Sequence, residues 1–194
     1  MKRRIIFATN NAHKIAEVNA VLGGGFQLVT PRECGITEEI PETQPTLEGN
    51  ASQKAHYLYE RTGCDCFADD TGLEVAALGG APGVRSARYA TDGHDFGANN
   101  RLLLHNMQGV EDRRARFRTV ISLILDGEEH LFEGTVEGRI ALSESGVEGF
   151  GYDPLFIPDG FGCSFAEMSA EEKNAVSHRG RAVRRMAEFL KSRQ

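Results

Sequence analysis

Residues Phe67–Val75 read FADDTGLEV. Two adjacent carboxylates repel each other, so a fold holds them together only with a cation, a proton or a reaction to serve. Neighbouring side chains in a strand point to opposite faces, so Asp69 and Asp70 are expected to have different tasks. One should enter an active cleft, and the other should brace the turn or the opposite face. The string is expected to end a strand at the rim of a sheet and to turn sharply there. A solvated Asp-Asp-Thr-Gly turn fits it as well. A second segment, Thr9-Asn10-Asn11-Ala12-His13-Lys14, reads as a strand end running into a helix start. Free N–H groups and the positive end of a helix dipole attract phosphate, and Lys14 can reach a phosphate oxygen from one turn in. The Walker A pattern GxxxxGKS/T is absent. Plain Asn capping, with Lys14 in solvent, is the alternative.

Three further groups carry chemistry. Glu42 lies in an acidic loop, and with Asp70 it could supply the one or two carboxylates that Mg²⁺ takes beside water and substrate phosphates. Glu38 and Glu39 read as solvated loop residues. In FGYDPLF, Phe150–Phe156, Phe150 could offer a face to a nucleobase and Asp153 could accept from a base or sugar. Core aromatics at a strand end fit that string equally. In SAEEKNAVSHRGRA, Ser169 and Glu172 have capping-box spacing, which predicts a short helix carrying Lys173. A second start at Ser177 places His178 and Arg179 in the first turn of the last helix. Cations there oppose the helix dipole, which points to a bound anion or acceptor-rich ligand.

Strand and helix patterns alternate around these groups. Arg4–Ala8 reads as a strand and Ala12–Leu22 as a helix with Ile15, Val18, Val21 and Leu22 on one face. Gly23–Gly25 should stop that helix, and Phe26–Thr30 follows as a second strand. Such a β-α-β opening favours an α/β fold with parallel pairing. Thr37–Pro45 is the acidic loop, and Leu47–Thr62 a helix burying Leu47, Ala51, Ala55 and Leu58. Cys66–Ala68 is a strand, Gly79–Gly83 a loop, and Phe96–Met107 a helix. Arg114–Leu125 has the strongest strand pattern. Asp126-Gly127 after it signals a hairpin, with a second extended run to Ile140, so the sheet is expected to be mixed. The last helix should cover His178–Leu190.

The chain has 194 residues, 40% apolar and 26% charged, with a formal charge of −6, and is read as a single domain over 1–194. No apolar run approaches the ~20 residues of a membrane span, and Ile5–Ala8 is too short for a signal-peptide core. A cytoplasmic protein is expected. The net charge argues against nucleic acid as the main partner. Arg113, Arg114, Arg116 and Arg118 alternate with Ala115 and Phe117, as on the solvated or phosphate-facing side of a strand. The four cysteines give no disulfide framework. Cys64 and Cys66 form CxC rather than a zinc-type pair.

Taken in order, TNNAHK, ADDTGLEV, GGAPGVRSARY, GFGYDPLF and EEKNAVSHRGRA resemble the inosine/xanthosine triphosphate pyrophosphatase (ITPase-like) family over nearly the whole chain. The resemblance implies an elongated α/β fold, a mixed β-sheet with flanking helices and two lobes around a central cleft, usually as a homodimer. It implies Mg²⁺-dependent hydrolysis of (deoxy)ITP and XTP to monophosphate and pyrophosphate. By the same resemblance, Thr9, Asn10, Asn11, Ala12, His13 and Lys14 would bind triphosphate. Glu42 and Asp70 would hold Mg²⁺, and Asp70 would also be the base that orients water. Thr71, Phe150, Gly151, Tyr152 and Asp153 would touch substrate. Lys173 would hold the nucleotide, His178 and Arg179 would read the base, and Lys54 would add a phosphate contact. Thr71 stands where serine is common. Gly49, in LEGNA, stands where glutamate is frequent. Two other readings remain: a pyrophosphatase for other modified nucleotides, and a nucleotide sensor without turnover.

Overall fold

The computed structural model describes residues 3–22 and 25–193. Its strands are β1 (Arg3–Phe7), β2 (Phe26–Val29), β3 (Cys66–Val75), β4 (Pro82–Gly83), β5 (Arg114–Leu125), β6 (Glu128–Ile140) and β7 (Phe156–Pro158). Its helices are α1 (Ala12–Leu22), α2 (Leu47–Thr62), α3 (Phe96–Asn106), α4 (Ala170–Val176) and α5 (His178–Ser192). Among the described residues the strands form a seven-stranded sheet in the order β2-β1-β3-β5-β6-β7, with β4 on β3. β1 pairs parallel with β2 and β3, while β4 on β3 and β7 on β6 are antiparallel. The sheet is therefore mixed, as the early β-α-β pattern followed by a hairpin predicts.

The chain divides into two compact units. One holds the residues up to Asp70, Thr119–Gly134 and the residues from Arg179 onward; the other holds Thr71–Arg118 and Thr135–His178. In the first unit the alternation of strand side chains builds two layers. Ile5, Phe7 and Phe67 pack with Val18 and Leu22 of α1 and with Val183, Met186 and Leu190 of α5. Ile6, Ala8, Cys66 and Ala68, the residues in between, pack with Ala55 and Leu58 of α2. In the second unit Leu73 and Val75 pack with Leu103, Met107, Phe117, Val136, Phe156 and Phe165.

Local chemistry sets the helix bounds. Thr46 caps α2 by accepting from the Gly49 N–H at 3.0 Å, and Gly63 closes it in the left-handed region at φ 61°. Asp95 caps α3 through the Ala98 N–H at 2.9 Å. The capping box expected at Ser169 and Glu172 is formed on both sides. Of the glycines expected to stop α1, Gly23 and Gly24 lie outside the described residues. Asp126 and Gly127, at φ 51° and 86°, make the two-residue turn between β5 and β6 that Asp-Gly favours.

One expectation is corrected. The chain does not turn at Asp69-Asp70-Thr71-Gly72; β3 runs straight through it from Cys66 to Val75. Asp69 and Asp70 are buried, and cationic and amide partners from the helices take the place of solvent. Gly72 also allows β4 to lie close against β3. A Cβ there would stand 2.7 Å from the Gly83 carbonyl oxygen, where the two strands pair. The string has the composition of a turn, but its charge partners lie far away in sequence and hold it extended.

Candidate active site

Strand alternation delivers the two carboxylates to different helices. Asp69 continues the Phe67 face, and its Oδ1 accepts from Lys14 Nζ of α1 at 2.9 Å while its Oδ2 accepts from Arg179 Nε of α5 at 3.0 Å. Asp70 continues the Cys66 and Ala68 face, and its Oδ2 accepts from Asn50 Nδ2 of α2 at 3.1 Å. Lys54, one turn beyond Asn50, donates to the Glu42 carboxylate and to the Asp69 carbonyl oxygen, the latter at 2.7 Å. Arg179 also donates to Glu17, three residues after Lys14 on α1. The first unit thus brings together Lys14, Glu42, Lys54, Asp70 and Arg179 out of the residues expected from sequence.

Charge partners decide the state of each group. Burial works against a charge on Asp69, yet Lys14, Arg179 and Lys54 outweigh it and hold the carboxyl well below its ordinary range. Burial opposes charge on Lys54 too, but Asp70, Glu42 and Asp69 together hold the ammonium above its usual value. Arg179 is held up in the same way by Asp69 and Glu17 against burial. For Lys14 burial prevails: it lowers the ammonium, Asp69 raises it, and Lys54 and Arg179 lower it again. Asp70 is the opposite of Asp69. Burial raises it, Lys54 lowers it, Glu42 raises it again, and the net displacement is upward. A carboxyl raised toward neutrality accepts a proton better than an ordinary aspartate does.

The Thr9–Lys14 segment is organised by local capping and by one buried ion pair. Asn11 caps α1, its Oδ1 accepting from His13 N at 2.9 Å and Lys14 N at 3.3 Å, and Thr9 Oγ1 accepts from Asn11 N at 3.1 Å. Asn11 thus caps the first turn of α1. Lys14 is not a solvated side chain, since only 17% of it is exposed. Asn10, Ala12 and His13 are exposed at the head of the helix. At the start of α5 the carboxylates of Asp69 and Glu17 answer the Arg179 guanidinium.

The second unit holds the rest. Asp153 Oδ2 accepts from Lys173 Nζ at 2.6 Å and from the Phe150 N–H at 2.9 Å, and both charged residues are buried. The Lys173 ammonium lies 5.2 Å from the centroid of the Phe150 ring. Of the readings of FGYDPLF, burial of Tyr152, Asp153, Leu155 and Phe156 fits core residues at a strand end, while Phe150 is half-buried. Tyr152 donates to the Ser86 carbonyl at 2.8 Å, and the Gly151 carbonyl accepts from Asn100 at 3.1 Å. His178 stacks on Phe117 at 4.5 Å. Thr71, next after Asp70 in β3, is part-buried.

Sequence alone does not point to Asn50, to Glu17 or to the role of Asp69. A signal for Asn50 nevertheless exists. Positions 47, 50, 51, 54, 55 and 58 form one helical stripe, all buried, and two of them are polar. Gly49 belongs to the same arrangement. A Cβ there would come 2.7 Å from Gln44 Cβ, and the Gln44 N–H donates to Asn50 Oδ1 at 2.9 Å. That donor obliges the amide to present its Nδ2 to Asp70.

In the first unit a buried lysine and arginine, the part-buried Lys14 and a raised carboxyl beside a second acid give this mixed α/β protein a centre suited to polyphosphate chemistry. Glu42 and Asp70 form a hard-oxygen pair that fits a cation such as Mg²⁺. Among the described residues no group of three or more His, Cys, Asp or Glu gathers to cage a metal alone. The model of the Ham1 family matches residues 5–189, and the chain belongs to that family. It is 53% identical over 188 residues to a dITP/XTP pyrophosphatase of Porphyromonas gingivalis, covering 96% of this chain and 97% of that one. A protein of the same name from Christiangramia forsetii is 47% identical, with 96% and 98% covered. The solved Staphylococcus aureus Ham1 protein superposes with a TM-score of 0.90 at 37% identity, covering 99% of this chain and 100% of that one.

Proposed function

We propose that the chain hydrolyses non-standard purine nucleoside triphosphates, dITP/ITP and XTP/dXTP, to monophosphate and pyrophosphate, and so cleanses the nucleotide pool. The observation that carries this reading is the electrostatic cluster of Lys14 and Lys54 with Asp70 and Glu42, in a chain 53% identical to a protein named for that activity. A triphosphate bears about four negative charges and meets carboxylates only across cations. Lys14 and Lys54 supply two from the protein. Glu42 and Asp70 would hold Mg²⁺, which when bound neutralises phosphate oxygens and activates water.

Asp70 serves as the base. Its carboxyl, raised by burial and held at Oδ2 by Asn50, orients a water molecule and takes its proton as the oxygen attacks the α-phosphorus. Lys14, with Lys54, offsets charge on the departing pyrophosphate. By the family resemblance, Phe150 would offer its ring to the base, with Lys173 beside it, and Thr9–His13 and Thr71 would each contact the substrate. His178 and Arg179 read the base. An inosine or xanthine base presents an acceptor at position 6, where adenine presents a donor. A site built to donate there rejects the adenine amine by roughly 10⁴–10⁵.

A panel of dITP, XTP, dGTP, dATP and a methylated pyrimidine triphosphate, read by pyrophosphate release with and without Mg²⁺, tests the reading. Turnover of dITP and XTP far above the others, lost without the metal, is expected. Preference for the pyrimidine, or binding without turnover, would contradict it. The family resemblance further supports a homodimer working in the cytoplasm. No helix among the described residues is long and apolar enough to cross a membrane.

A further inference from the structure

Asp69 has no part in the proposed bond cleavage, yet three cations from three helices converge on it. One carboxylate oxygen takes Lys14 of α1, the other takes Arg179 of α5, and the backbone carbonyl takes Lys54 of α2. The side chain is 2% exposed, and Lys54 and Arg179 are buried with it. We propose that Asp69 is a positioning residue, the shared counter-charge that places Lys14, Arg179 and Lys54 for the nucleotide and keeps Lys14 and Lys54 from gripping the released pyrophosphate. The proposal rests on the pyrophosphatase function, because it assumes that these cations meet the nucleotide.

Geometry and charge both support it. Each cation sits on a long, flexible stem, and a stem held at its head by a buried acceptor loses its freedom before substrate arrives. Lys14, Lys54 and Arg179 stand against the carboxylates of Asp69, Asp70, Glu42 and Glu17, so acids outnumber bases by one in this cluster. A polyanionic product therefore leaves a centre already satisfied by its own acids. With Asp69 neutral, the same cations face an anion with one counter-charge fewer, and attraction in a buried setting is barely screened. An amide at position 69 can accept from one cation only and turns a donor toward the other.

The test uses the whole protein with Asp69→Asn and Asp69→Glu. Inorganic pyrophosphate is titrated calorimetrically in EDTA, and dITP turnover is followed in Mg²⁺. For Asp69→Asn we expect kcat to fall about ten- to a hundredfold, the range seen when groups that orient reactive ligands are removed. KM for dITP should stay level or fall, and pyrophosphate should bind about threefold tighter or more, the direction that loss of one nearby negative charge dictates. Asp69→Glu keeps the charge but moves the cations, so kcat falls while pyrophosphate affinity stays near wild type. Folded Asp69→Asn protein that binds pyrophosphate no better than wild type, or raises KM in step with a small loss of kcat, would overturn the proposal in favour of a purely structural ion pair. If Asp69→Asn does not fold, unchanged kcat or altered pyrophosphate affinity in Asp69→Glu does the same. Wild-type protein inactive on dITP would count against the function alone, since the pyrophosphate comparison needs no turnover.

Discussion

Asp69 and Asp70 differ by one position and by one strand face, and their chemistry diverges accordingly. Asp70→Asn keeps the shape and the Asn50 contact but removes the base, and kcat should fall about 10²–10⁴-fold with an unchanged melting temperature. Asn50→Ala should unseat Asp70 and strand the Gln44 N–H, with a stability loss of about 1–3 kcal/mol in urea unfolding and lower kcat. Asp69 should show itself in acid. Its folded carboxyl lies well below its ordinary value of 3.8, so its stabilisation is complete above that pH and is lost as pH falls further toward the folded value. The melting-temperature gap between wild type and Asp69→Asn should therefore be widest near pH 6 and shrink toward pH 2, as the carboxyl protonates in the unfolded chain while the folded one still holds its charge. A gap independent of pH would mean that the ion pairs contribute nothing there. Lys14 and Asp70 stand out in the sequence at an expected helix start and an expected strand end, and Glu42 in an acidic loop, whereas Lys54 enters only through the family resemblance. Asn50 and Glu17 do not stand out, because a polar residue on an inner helix face looks like any other until its partner is known.

Elements are legible where a local pattern decides them. The start of α1 and the bounds of α2 and β5 follow from caps, Gly63 and apolar spacing, and the β5–β6 turn follows from Asp-Gly. The second half of β3 is hidden, because Asp-Asp-Thr-Gly has every local mark of a turn. Partners from α1, α2 and α5 override that preference, and no window of sequence contains them. Gly72→Ala should test how tightly β4 lies on β3. With its Cβ 2.7 Å from a backbone oxygen, the substitution should destabilise by about 1–3 kcal/mol, read as a lower denaturant midpoint. A neutral result would show that the pairing yields easily. Short β7 is hidden for another reason: three residues, Phe156–Pro158, carry no periodicity.

At the scale of the whole molecule, charge is arranged rather than merely summed. The arginine run that a basic patch would need is engaged within the protein. Arg113 donates to the Ile140, Ala141, Met107 and Val110 carbonyls, Arg114 pairs with Asp112, and Arg116 and Arg118 pair with Glu74. With a formal charge of −6 besides, nucleic-acid binding should be absent at physiological salt in a gel-shift assay. Sedimentation at micromolar concentration should find a dimer. The decisive question concerns bond cleavage, because the site is read as attacking the α-phosphorus. Phosphorus NMR of dITP turned over in Mg²⁺ answers it. Equal release of dIMP and pyrophosphate from the first turnover is predicted, whereas dIDP with orthophosphate would contradict it.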